Sequence, residues 1–254
     1  MTRLEIAVKT LESLMMNGRK VLVTGAGSGI GRAISTILAD RGAHLALLDR
    51  SDSVRATARD TGGTPFIVDL LQTGSIQRVV TCAAEALGGL DGVVNCAGVL
   101  SVASLADLEE SDWQRTITIN LTAPYLICRA ALPWLKRSPD ASIVNIASGV
   151  GIRPVHLTTP AYAASKAGLL GLTRTLAVNL APAIRVNAVC PGLTDTPMVV
   201  PTSEEDQQSL VALYPLGRAA APLEIAEVAA FLLSRAASYV TGASYTADGG
   251  RTLY

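Results

Sequence analysis

Two kinds of apolar segment alternate along this chain, and the alternation restricts the folds open to it more than any other feature. Short runs of β-branched and other apolar residues stand at Lys20 to Thr24, His44 to Asp49, Thr64 to Val68, Gly92 to Asn95, Ser142 to Ile146, Arg185 to Val189 and Ser244 to Ala247. Between them lie longer runs with helical periodicity: Gly31 to Arg41, Ile76 to Leu87, Ser111 to Lys136, Tyr162 to Leu180 and Pro222 to Ser234. Strands threaded by helices of this length build βαβ units, because a parallel neighbour needs a crossover long enough to bring the chain back. The expected fold is therefore α/β, a single-domain Rossmann-type doubly wound parallel sheet of about seven strands. No repeat, low-complexity tract or Gly/Ser- or Pro-rich linker divides it. The domain is expected over residues 19–254, after an N-terminal extension of residues 1–18. There Leu4, Val8, Leu11 and Met15 fit either a short helix ended by Gly18 or a frayed lead-in to the first strand.

Composition limits the partners. Lys and Arg total 21, Asp and Glu total 21, so the net charge is zero and neither a nucleic acid nor a membrane surface is an expected partner. With 49% hydrophobic residues, 17% charged residues and a mean hydropathy of +0.37, the chain carries more apolar surface than one globule is expected to hide. Subunit contacts are the expected outlet for it. Lys166, Arg174 and Arg185 interrupt the Ala- and Leu-rich stretch from Ala161 to Val189, short of the ~20 residues a membrane span needs. Arg3, Glu5, Lys9 and Glu12 likewise break any secretory core near the start. Cys82, Cys96, Cys128 and Cys190 form no CxxC pair and sit in apolar stretches, which reads as buried thiols in a reducing cytoplasm. With only His44 and His156, no metal site is expected.

The first strand runs directly into Thr24-Gly25-Ala26-Gly27-Ser28-Gly29-Ile30-Gly31 and then a helix. Glycines there let the backbone turn sharply beside a pyrophosphate, whose charge the free N–H groups of the helix start can hold. Asp49 ends the second strand, 18 residues past Gly31. A carboxylate at that place accepts from ribose hydroxyls and repels a 2′-phosphate, which favours NAD over NADP; the adjacent Arg50 offers the opposite contact.

Tyr162 and Lys166 stand at i and i+4 of an expected helix, hence on one face. Bringing a phenol from near 10 toward neutrality asks for roughly 3 to 4 kcal/mol. One positive charge about 4 Å away at an effective dielectric near 20 supplies an energy of that order. Lys166, helped by an oxidised nicotinamide ring, is thus expected to lower the Tyr162 pKa. Ser148 ends the fifth strand, at the sheet edge where ligands bind. Asn120, inside the apolar run Ile117 to Leu121, needs a partner if buried; either a backbone group or a water shared with Lys166 would serve.

With these residues in view the chain resembles the short-chain dehydrogenase/reductase family from about Lys20 to Gly250. The resemblance rests on TGAGSGIG at 24–31, NCAG at 95–98, Asn120, Ser148, the YxxxK at 162–166, Pro191-Gly192 followed by Thr194 and Thr196, and DGG at 248–250. It implies a tetrad of Asn120, Ser148, Tyr162 and Lys166. It also implies that Asn95, Ala97, Gly98, Val189, Pro191, Gly192, Thr194 and Thr196 lie by the cofactor, and that Asp69 and Leu70 bracket its adenine. The implied activity is reversible hydride transfer between a nicotinamide and a secondary alcohol or ketone, in a homotetramer or homodimer. A silent dinucleotide-binding sensor is the other reading; a serine hydrolase is not, since no GxSxG elbow surrounds Ser148.

Two departures stand out. Cys96 replaces the second Asn of the usual NNAG, and the loop between Ser148 and Tyr162 is one residue longer than the commoner spacing. A mobile lid is expected near 193–216, where Pro197, Met198, Val199, Val200, Pro201 and Pro215 show little periodicity. With Val150, Val155 and Leu157 it suits a partly apolar substrate, while Arg153 and His156 are either surface groups or partners of a polar end. A polyol, a hydroxyacyl chain and a cyclic alcohol all remain open. The two long helices, with Trp113, Ile117, Leu121, Tyr125, Leu132, Leu169, Leu172 and Leu176, are the expected dimer face.

Overall fold

The computed structural model describes residues 3–154, 160–198 and 203–253. Val155, His156, Leu157, Val199, Val200 and Pro201, named above for the substrate loops, lie outside them. Seven parallel strands form one sheet: β1 (Lys20–Thr24), β2 (His44–Asp49), β3 (Thr64–Ile67), β4 (Gly92–Asn95), β5 (Ala141–Ile146), β6 (Ile184–Pro191) and β7 (Ser244–Ala247), in the order β3-β2-β1-β4-β5-β6-β7. Strand order reverses between β1 and β4, which opens a crevice beyond their carboxyl ends.

Alternation along β1 sorts the core into two layers. Val21 and Val23 face a cluster with Ile34 and Leu38 of α2 (Gly29–Asp40) and Ile225, Ala229 and Leu232 of α9 (Pro222–Leu233); Leu22 faces Ile76 and Val80 of α4 (Ile76–Leu87). That second layer continues through Ala123, Ile127 and Leu135 of α6 (Ala123–Leu135) and Ala177 of α7 (Pro160–Leu180). With helices on both faces, the central strands β4 and β5 are buried throughout, and their polar residues Asn95, Ser142 and Asn145 are held by hydrogen bonds. The N-terminal extension holds α1 (Arg3–Leu14), which packs near the turn at Arg235–Ala237.

The sequence reading needs four corrections. The segment Ser111 to Lys136 is not one helix: α5 (Glu110–Ile117) and α6 are separated by a π-helical turn, Thr118–Thr122. In a regular α-helix the carbonyl of Asn120 would accept from the N–H of residue 124, and Pro124 has none. Two short helices had no sequence signal, α3 (Val54–Thr61) and α8 (Glu204–Val211). The first buries only Val54, Thr57 and Ala58, and the second is mostly polar, so neither carries an apolar stripe. The region expected to be lid is therefore partly helical. Finally, Cys82 is exposed, because α4 turns Ile76, Val80, Ala83 and Ala84 inward and leaves residue 82 on the outer side; Cys128 and Cys190 are buried, as expected.

Candidate active site

A cavity of about 500 Å³ lies over the carboxyl edge of the sheet and spans the switch point. That volume is within the range of small-molecule sites. Its wall includes Gly25, Ser28, Gly29, Ile30 and Gly31 from the first turn, Asp49 and Arg50 after β2, Asp69 and Leu70 after β3, and Ala97 and Gly98 after β4. It also includes Ser148, Tyr162 and Lys166, with Pro191, Gly192, Thr194 and Thr196 after β6. Gly27, Asn95, Asn120 and Val189, also expected near the cofactor or the chemistry, are absent from that wall.

Each of the four has another role. Val189 is fully buried in the core. The Asn95 side chain, buried in the sheet, donates to Asn145 Oδ1 at 2.8 Å and to Cys128 Sγ at 3.4 Å. The Gly27 N–H donates to Asp49 Oδ2 at 2.9 Å, and the other Asp49 oxygen accepts from the Ser51 N–H at 2.9 Å. A carboxylate has about four acceptor positions, so two backbone bonds fix Asp49 and leave capacity for a ribose diol. A side chain at Gly27 would run into Ser53 Oγ at 2.4 Å. Asn120 is fully committed: Oδ1 accepts from Val99 N–H at 2.9 Å, and Nδ2 donates to the Val99 carbonyl and to Ser165 Oγ, both at 3.0 Å. Its amide is thus spoken for by protein groups rather than by a water, and it straps the loop after β4 to α7.

The turn after β1 fits a pyrophosphate. Gly25 and Gly29 hold positive φ, +68° and +50°, and a Cβ on Gly31 would sit 2.1 Å from the Gly25 carbonyl oxygen. Ser28 caps α2 without a side-chain bond to it, so the first N–H groups of the helix, at Gly29, Ile30 and Gly31 on the cavity wall, have no cap to satisfy them. Thr24 Oγ1 accepts from the N–H groups of both Cys96 and Ala97 at 3.1 Å, locking this turn to the loop after β4.

At the other end α7 presents Tyr162 and Lys166 one turn apart. The Lys166 ammonium donates to the Ile146 carbonyl at 2.8 Å and lies 5.7 Å from the centre of the Tyr162 ring. The Ser148 hydroxyl stands close enough to the Tyr162 phenol to pull its pKa down, and accepts from the Val150 N–H at 3.2 Å. Burial shifts both titrating groups toward neutrality: the Lys166 pKa falls to about 8, and that of Tyr162 rises above its usual 10 in spite of Ser148. Lys166 is not among the influences on Tyr162 in this site, where desolvation dominates; the expected lowering is that of the ammonium together with an oxidised nicotinamide ring. Desolvation is the largest influence on each group, and the ammonium lies over the ring face, bonded to a carbonyl.

Residues 25–252 match the family model described as Enoyl-(Acyl carrier protein) reductase. The cis-4-hydroxycyclohexanecarboxylate dehydrogenase of Sinomonas cyclohexanicum is 39% identical over 241 residues, 92% of this chain and 96% of the relative. Among solved structures, a short-chain dehydrogenase/reductase (glucose/ribitol dehydrogenase) from Brucella melitensis aligns at TM-score 0.87 and 36% identity, covering 92% of this chain and 97% of its own. The chain belongs to the short-chain dehydrogenase/reductase family. A Beutenbergia cavernae protein with NADP bound at low occupancy aligns at TM-score 0.91 and 33% identity over 95% of this chain and all of its own, 100%. As a short-chain dehydrogenase/reductase the protein is an NAD(P)-dependent oxidoreductase with a small-molecule substrate.

The cavity also has walls that no sequence motif marked: Arg115 and Ile119 on α5 and the π turn, and Val99 and Leu100 after β4; Met198, expected in the lid after β6, joins them. Only the fold brings these short-chain dehydrogenase/reductase residues to one place. No helix among the described residues is long and apolar enough to cross a membrane, and none of their His, Cys, Asp and Glu side chains cluster as a metal site.

Proposed function

We propose that the protein is a short-chain alcohol dehydrogenase/ketone reductase that prefers NAD and acts on the CH–OH group of a secondary alcohol. The observation that carries this is the shared cavity: Ser148, Tyr162 and Lys166 line the same space as the uncapped start of α2 and Asp49. A bound nicotinamide supplies the two-electron acceptor that alcohol oxidation needs, and the donor in reverse. The α2 start and glycine turn hold the pyrophosphate, Asp49 the adenosine ribose, and Asp69 and Leu70 flank the adenine. Gly98, Pro191, Gly192, Thr194 and Thr196 shape the nicotinamide side. Ser148 donates to the substrate oxygen, and Tyr162, as phenolate, removes the hydroxyl proton. The proton leaves by way of Lys166, whose pKa of about 8 suits a group that gives and takes protons near neutrality. A water held by the Asn120 backbone carbonyl, which Pro124 leaves without an α-helical donor, completes that route. Asn120 is in this account a positioning residue.

The domain extends over 19–254, with a lid within 193–216, in a cytoplasmic homotetramer. Support for the assembly comes from exposed apolar groups on the two long helical segments, Tyr125 at 43% and Val178 at 79%. Cyclic alcohols, polyols and hydroxyacyl compounds are the candidate substrates. The test is NADH formation across a panel of these three classes, with NADP in parallel and with an Asp49→Asn variant. Turnover of at least one class is expected. Wild type should favour NAD by at least about 10-fold in kcat/KM, and D49N should narrow that preference, since the charge repelling a 2′-phosphate is gone. NADH binding without turnover of any class would instead support a sensor.

A further inference from the structure

The segment after β6 is anchored at its root and lies across the cavity beyond it. The Asp195 N–H donates to the Ala220 carbonyl and the Ala220 N–H to the Leu193 carbonyl, both at 2.9 Å, which pairs the root with the chain entering α9. Thr196 and Pro197 then lie against the glycine turn: a Cβ on Gly29 would stand 3.1 Å from the Thr196 methyl and 4.0 Å from Pro197 Cδ. Met198 reaches the catalytic end. A Cβ on Gly98 would meet Asn120 Oδ1 at 3.4 Å, Lys166 Nζ at 3.5 Å and Met198 Cε at 4.0 Å. The Met198 methyl therefore stands in the cavity wall beside the amide and the ammonium, and its side chain is 44% exposed.

That corner offers little to a polar substituent. The Asn120 side chain is bonded to Val99 and Ser165, and Lys166 donates to the Ile146 carbonyl and serves the proton route proposed above. Arg115, also on the wall, pairs with Asp112 at 3.1 Å. Val99 and Leu100, which follow Gly98, add apolar wall. A thioether donates nothing and accepts weakly, whereas its unbranched chain packs well on apolar surface. A hydroxyl pressed against it would lose water without gaining a partner.

We infer that Met198 is a specificity-determining residue, whose methyl end packs against the group attached to the reacting carbinol carbon, and that this group is apolar. Among the candidate substrates it selects cyclic alcohols over polyols that carry a hydroxyl beside the reacting one. This rests on the oxidoreductase reading above and narrows its substrate class.

Two arms are needed. In the first, kcat/KM is measured for cyclohexanol and for the vicinal diol of the same ring, with wild type, Met198→Leu and Met198→Gln. Wild type and M198L should favour cyclohexanol by about 10- to 100-fold, the effect of an unpartnered hydroxyl. M198Q, which offers an amide in its place, should narrow that ratio by at least about 5-fold with NADH affinity kept. The second arm uses the methionine methyl signals of isotope-labelled protein in magnetic resonance. The other methionines, Met1, Met15 and Met16, all precede β1, and the Met198 signal is the one absent from M198L. A tertiary cyclohexanol, which has no carbinol hydrogen to lose, is added to NAD-saturated protein and should shift that signal while leaving the others in place. This arm reads the contact even if no alcohol is turned over, an outcome that would count against the oxidoreductase reading alone. An unmoved Met198 signal, a wild-type ratio near one, the same ratio in M198Q, or a fall in NADH affinity as large as that in alcohol kcat/KM would each overturn the inference.

Discussion

At Tyr162 and Lys166 a buried base and a buried acid share one face of a helix, and burial opposes the charge of each. The Lys166 pKa of about 8 against its usual 10.5 makes a prediction about stability as well as catalysis. Between these values the unfolded chain binds more protons at this position than the folded one, so the stability contributed by Lys166 rises with pH across that window. Below about pH 8 the folded protein bears the cost of a buried ammonium. Relative to Lys166→Met, wild type should therefore gain about 3 kcal/mol in urea-unfolding free energy between neutral pH and pH 10.5. Cys128, pushed up to about 12 without influence from Lys166, acts in both proteins and cancels in the difference, and Cys96 and Cys190, held at about 12 and about 11 even beside the ammonium, stay mostly protonated in both. A flat difference would show that the ammonium is not desolvated. Residues whose role is local in sequence were legible before the structure: the glycines of the turn, Asp49 at the end of its strand, and Tyr162 one turn from Lys166. Asn120 was recognisable as a buried amide in need of a partner, but its partner, Val99, is 21 residues away and no spacing reports it. Arg115 carried no motif at all, because a guanidinium becomes informative only when its neighbours across the cavity are seen.

Among the elements, the π turn at Thr118–Thr122 decides how Asn120 faces α7. Restoring an N–H with Pro124→Ala lets the segment close as regular α-helix and rotates Asn120 away from Val99 and Ser165. The variant should melt no lower than wild type and bind NADH equally, yet lose about 10²-fold in kcat, the scale on which a misplacement of about 1 Å acts. Unchanged kcat would mean that the π turn has no part in the chemistry. Strands were the most legible elements: β1, β2 and β4 fall where the apolar runs placed them, since buried parallel strands are short and mostly apolar, and β7, a half-exposed edge strand, also keeps the expected bounds. The helix break was not legible, because apolar spacing runs through 111–136 without interruption and only Pro124 hinted at it. α3 and α8 escaped for the opposite reason, being short and polar.

For the whole molecule, strand order and site position follow from one another. The chain reverses its direction of growth between β1 and β4, and the cavity lies at that reversal, so a cofactor cradle from β1 and β2 meets catalytic groups from β5 and α7 across a single space. The alternation of strands and helices foretold the sheet; of the expected dimer face Tyr125 is exposed, whereas Leu169 is buried in the core beside Ala188 and Cys190. The alternation did not foretell how the segment after β7 folds back toward Ser148, because that return depends on Gly192, Tyr214 and Asp248 packing against one another. The central claim is that this space performs alcohol oxidation with Tyr162 as its base. Its most direct test is the steady-state rate of Tyr162→Phe at saturating NAD and alcohol, beside its NADH affinity by fluorescence titration. The account predicts a loss of at least about 10²-fold in rate with affinity unchanged. A variant that retained more than about a tenth of the wild-type rate would contradict it, since the proton would then have to leave by another group.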